Sequence, residues 1–126
     1  MRIVKYCRLS FIILMLGCAA ANAGVSISPQ EASTMSDGQK AVIIDVREDS
    51  EWNAQHIPGA IHIPLAQLND RLSELKSYKN SLIITQCRSG GRSAKAQDLL
   101  QSAGFASVYN LEGGIIAWDK AGLKTE

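Results

Sequence analysis

The chain has 126 residues, 20% of them charged, and a formal net charge of +1. That is the length of one domain with one modest core. Three of the thirteen cations and none of the twelve acids fall within residues 1–23, so residues 24–126 are net acidic, which argues against a nucleic-acid partner, since phosphates favour a basic face.

Residues 1–23 read as a secretory signal peptide. Arg2, Lys5 and Arg8 form a positive start, Leu9 to Leu16 is apolar except for Ser10, and Ala21-Asn22-Ala23 is a small-x-small cleavage site. The apolar run falls short of the roughly 20 residues that a spanning helix needs. A buried N-terminal helix is the structural alternative, and the cations ahead of the run with no acid speak against it. Leu14-Met15-Leu16-Gly17-Cys18 also resembles a bacterial lipoprotein box, with Met15 where Leu is usual, so a lipid anchor on Cys18 is the alternative processing route. Both routes export the protein, and the expected location is the periplasm, with no membrane span in the mature chain. Residues 24–126 then form the domain, and Cys87 is its lone thiol, which precludes an intramolecular disulfide.

The domain opens with a helix at Ser28-Pro29-Gln30-Glu31. Ser28 suits the cap, Pro29 the first helical position and Glu31 a capping box, and the helix is expected to end near Asp37-Gly38. Residues 41–45 form an apolar run closed by Asp45, a buried parallel strand. A short helix over 48–55 and a short strand over 60–63 follow. Pro64 starts another helix, in which Leu65, Leu68, Leu72 and Leu75 share one face. Residues 81–86 read as a second strong strand that runs directly into Cys87. After Arg92 comes a helix with Ala96, Leu99, Leu100 and Ala103 on one side and Gly104 as its stop. A last strand over 106–111 precedes Gly113-Gly114 and a final helix around 115–121. Strands alternating with helices predict an α/β fold, with a parallel sheet covered on both faces and its ligand site at the carboxyl ends of strands. The Cys87 loop lies at such an end.

Cys87-Arg88-Ser89-Gly90-Gly91-Arg92-Ser93 concentrates the chemistry. A strand-loop-helix unit gathers unpaired backbone N–H groups, two glycines let the loop curl, and the helix dipole adds positive potential. Such a site favours an anion and favours thiolate over thiol. Arg88 and Arg92 are expected to add two cations beside the sulfur. The alternative for Cys87, a small buried hydrophobe, does not need two arginines and two glycines within five residues. No metal site is expected, because Cys87, His56 and His62 are the only soft ligands of residues 24–126 and have no ligand spacing.

The loop resembles the active-site loop of rhodanese-family sulfurtransferases. Asp45-Val46-Arg47-Glu48 is similar to that family's Asp-x-Arg segment, residues 56–64 to its His-Ile-Pro-Gly-Ala segment, and residues 111–118 to its closing Gly-Gly-x-x-x-Trp segment. The match covers residues 27–122. The resemblance implies a rhodanese-like three-layer fold, with a central, mostly parallel sheet and helices on both faces. It also implies that Cys87 takes a sulfur from a small anionic donor such as thiosulfate, holds it as a persulfide and passes it to a thiophilic acceptor, cyanide or a thiol, with a thiol protein as one possible acceptor. No cofactor is implied. Arg88, Ser89, Gly90, Gly91, Arg92 and Ser93 would bind the substrate, with Arg92 and the loop amides on the donor's oxyanion. Arg88 either binds the anion or is a solvated surface arginine. Asp45 and Arg47 would support the loop, and His56, His62, Trp52 and Trp118 read as scaffold.

Two other functions compete. Cysteine phosphatases use Cys-x5-Arg, whereas Cys87 and Arg92 enclose four residues, a loop that fits one sulfur better than a phosphoryl group. A non-catalytic binding or signalling module is the other, and modules of that kind often lack the cysteine present here.

Overall fold

The computed structural model describes residues 24–126; the signal-peptide and Cys18 readings lie outside the described residues. Five strands form one sheet: β1 (Ser26–Ile27), β2 (Ala41–Asp45), β3 (Ile61–His62), β4 (Leu82–Gln86) and β5 (Ser107–Leu111). Their spatial order is β1-β5-β4-β2-β3, and every pairing is parallel. The helices are α1 (Pro29–Asp37), α2 (Asp49–Ala54), α3 (Leu65–Leu68), α4 (Gly91–Ser102) and α5 (Gly114–Lys120).

Strand alternation divides the core in two. Ile44, Val46, Ile83, Cys87 and Val108 point to one face, where Leu68, Leu75, Ala96 and Leu100 cover them. Ile43, Ile84 and Leu111 point to the other, against Ala32, Ile115 and Trp118. Adjacent pairs such as Ile43/Ile44 and Ile83/Ile84 thus serve opposite layers, which is why both strands read as unbroken apolar runs. The three-layer α/β expectation holds.

Three local expectations change. The helix from Pro64 is α-helical only over Leu65–Leu68 and continues as a 3-10 helix over Asn69–Tyr78. Leucines three and four residues apart suit both geometries, so their spacing does not separate them. The two-residue strand β1 escapes prediction altogether. At α1, Ser28 Oγ accepts from the Glu31 N–H at 3.2 Å, but the return half of the capping box is absent, and Glu31 is exposed.

Candidate active site

Cys87 directly follows β4, and its side chain is buried, with the residue 1% exposed. In the loop behind it the Cys87 and Arg88 carbonyls turn outward and the Gly90 amide turns inward. The Cys87 carbonyl accepts from the Ile115 N–H at 2.9 Å and from Gln86 Nε2 at 2.8 Å, and the Arg88 carbonyl accepts from the Ile116 N–H at 3.2 Å. Two unpaired donors at the start of α5 thereby clamp the outer rim of the loop. Gly114 permits the clamp: with φ +59°, a Cβ there would sit 2.4 Å from the Arg88 carbonyl carbon.

On the inner side, the Gly90 N–H donates to Cys87 Sγ at 3.1 Å, and Ser93 Oγ lies 3.3 Å from the same sulfur. Gly90 holds φ +118°, a backbone that only glycine adopts readily, and it caps α4. Gly91 has ordinary φ and open space around it, so of the loop's two glycines only Gly90 answers a backbone requirement. Burial pushes the Cys87 thiol up, but the Ser93 hydroxyl and the amides of Ser93, Gly90 and Ser89 outweigh it and leave the thiol below its ordinary value.

The two arginines differ in their partners. Arg92 is paired: both its terminal nitrogens donate to the Glu51 carboxylate, at 2.6 and 2.9 Å. A bidentate pair of this kind fixes the orientation of the guanidinium. The Arg92 partnership holds the Glu51 carboxyl far below the ordinary range, at about 2, helped by the Glu48 N–H and opposed by partial burial. Glu51 is therefore a site residue that the sequence reading missed; it lies 41 positions from Arg92, and nothing local marks the pair. Arg88, by contrast, is exposed on the loop and forms no ion pair among the described residues.

Asp45 and Arg47 do pair. The contact is buried and 2.7 Å at its shortest, and the Arg47 guanidinium also donates to the carbonyls of Glu51 and Gln55 at the end of α2. Their direct support goes to α2, which carries Glu51, and not to the Cys87 loop. Trp52 on α2 is stacked between His56 at 3.8 Å and His62 at 4.8 Å. Each imidazole also meets a backbone carbonyl, of Trp52 and Arg47 respectively, so both serve as scaffold in this arrangement. Trp118 is buried and donates to the Lys124 carbonyl. A cleft of about 370 Å³ opens beside the loop, lined by Glu51, Gln55, Arg88, Ile115, Ile116 and Asp119 among others.

The Rhodanese-like domain family model matches residues 28–121. The chain is 36% identical to a sulfurtransferase of Allochromatium vinosum, over 71% of this chain and 81% of that one. It is 38% identical to the probable adenylyltransferase/sulfurtransferase MoeZ of Mycobacterium tuberculosis, over 81% of this chain but only 26% of MoeZ. Among solved structures, the rhodanese-related protein of Thermoplasma volcanium superposes with a TM-score of 0.73 at 26% identity, covering 81% of this chain and 97% of that one. The chain belongs to the rhodanese-like domain family and is similar to members named as sulfurtransferases.

Proposed function

We propose that this protein is a thiosulfate-type sulfurtransferase working through a persulfide on Cys87. The observation that carries the reading is the one-sided loop: a thiol with amide and hydroxyl donors aimed at it. A thiolate so prepared needs no proton removed at the moment of attack. Its sulfur attacks the outer sulfur of the donor, the new S–S bond forms, the donor's S–S bond breaks, and sulfite leaves with the electron pair. The acceptor then attacks the outer sulfur, and Cys87 departs as thiolate, ready for another cycle.

The same donors that hold the thiolate are placed to hold the leaving thiolate. Arg88, exposed and lining the adjacent cleft, supplies the attraction for an anionic donor, and Arg92 serves through Glu51 as a strut between α2 and α4. The signal-peptide-like pattern of residues 1–23 supports a reading in which the protein works in the periplasm on small sulfur donors and thiophilic acceptors, including thiol proteins. Thiocyanate formed from thiosulfate and cyanide by the unaltered protein, and abolished in Cys87→Ser, is the expected result. Equal turnover by both proteins would remove Cys87 from the reaction, and no turnover by the unaltered protein with any sulfane donor would return the domain to a binding role.

A further inference from the structure

Ser93 lies in the first turn of α4, fully buried, with three polar atoms around its hydroxyl: Asn110 Oδ1 at 2.6 Å, the Gly90 carbonyl at 3.2 Å and Cys87 Sγ at 3.3 Å. It has one proton to donate among them. The orientation of the Asn110 amide follows from its other end. Nδ2 donates to the Gly90 carbonyl at 3.1 Å, so the atom turned toward Ser93 is the oxygen, which only accepts. The shortest contact of Ser93 is therefore with an acceptor that competes with the sulfur.

With Cys87 protonated, the arrangement is consistent throughout. Ser93 donates to Asn110 Oδ1, Asn110 Nδ2 donates to the Gly90 carbonyl, and a neutral sulfur has little call on the Ser93 proton. Ionisation breaks the pattern. The sulfur now only accepts, and if Ser93 turns its proton to the sulfur, two oxygens face each other at 2.6 Å with no proton between them. We propose that Asn110 is a positioning residue that competes with the Cys87 sulfur for the single Ser93 proton, so that the hydroxyl, one of the donors that favour the anion, gives the sulfur less than it would without Asn110. Asn110 reaches this position from β5, where its side chain shares a face with Val108, on the α4 side of the sheet. The charged groups around the thiol do not change in this scheme: Arg88 is exposed, Arg92 is bound by Glu51 of α2, and α5 presents the neutral Ile115 amide. The inference rests on Cys87 being the sulfur carrier for its meaning in catalysis, but not for its test.

The test is a double-mutant cycle of Ser93→Ala and Asn110→Ala on the ionisation of Cys87, read as thiolate absorbance against pH after subtracting the Cys87→Ser protein in the same background. Subtraction removes Cys7 and Cys18, and no sulfur donor is used, so failure of the cycle is distinct from failure of sulfur loading. Removing the Ser93 hydroxyl is expected to raise the midpoint more in the Asn110→Ala background than in the natural one, by about half a pH unit, roughly threefold in the ionisation constant. Asn110→Leu, which keeps the volume without the polar atoms, is expected to give the same coupling where Asn110→Ala folds poorly. An additive cycle, or coupling of the opposite sign, overturns the proposal, because Asn110 would then act on loop shape alone or would aim the proton at the sulfur.

Discussion

Two opposing effects meet on the Cys87 sulfur. Burial disfavours its charge, and a hydroxyl with three amides favours it more. The residues that tip this balance are few, which makes them easy to test. Gly90→Ala forces a Cβ into φ +118°, and is expected to cost about 1–3 kcal/mol of stability and to shift thiol ionisation upward as the Gly90 amide moves. Gly91→Ala, with open space and ordinary φ, is expected to stay within about 0.5 kcal/mol of the natural protein in the same thermal melt. Arg88→Ala is expected to slow alkylation of Cys87 by iodoacetate about threefold relative to neutral iodoacetamide, an effect that shrinks as salt is added. Equal slowing with both reagents would show that Arg88 does not attract anions to the thiol. Of these features, the loop and its cysteine were legible in the sequence, because a strand running directly into a Cys- and Gly-rich turn has a local signature. The partnership of Ser93 with Asn110, 17 positions away, has none.

Among the elements, α5 and α2 hold the loop from either side. The start of α5 binds its outer carbonyls, and this close approach exists only because position 114 has no side chain. Gly114→Ala is therefore expected to lower thermal stability more than Gly91→Ala and to weaken sulfur transfer, since α5 must retreat from Cys87 and Arg88. The sequence marks Gly113-Gly114 as a break but does not say which backbone it touches. Strands β2 and β4 and helices α1 and α4 were readable from apolar runs, caps and periodicity, within a residue or two. The element β1 was not, because two residues carry no period, and the 3-10 continuation after Leu68 was not, because its leucines satisfy both helix types. The brace from α2 through Glu51 to Arg92 is likewise a product of the tertiary fold.

Over the whole molecule, a parallel sheet with two covered faces brings Cys87, the start of α4, the start of α5 and the acid of α2 to the carboxyl ends of its strands. The general architecture follows from the alternation of elements, whereas the pairing of Arg92 with Glu51 follows from which loops the strand order places side by side. This assembly carries an acid-sensitive contact. The Glu51 carboxyl falls from 4.5 to about 2 on folding, so its contribution to stability is complete above pH 4.5 and is lost as pH falls toward about 2. The melting-temperature gap between the natural protein and Glu51→Gln is accordingly expected to be widest above pH 4.5 and to close in stronger acid; a gap independent of pH would mean that the carboxylate charge is not what braces Arg92. The sulfur-carrying role itself is tested most directly by the intact mass of the protein before and after thiosulfate. The account requires a gain of one sulfur atom located on the Cys87 peptide and removed again by cyanide. A mass unchanged by thiosulfate and other sulfane donors, with the thiol free and ionised, would contradict it.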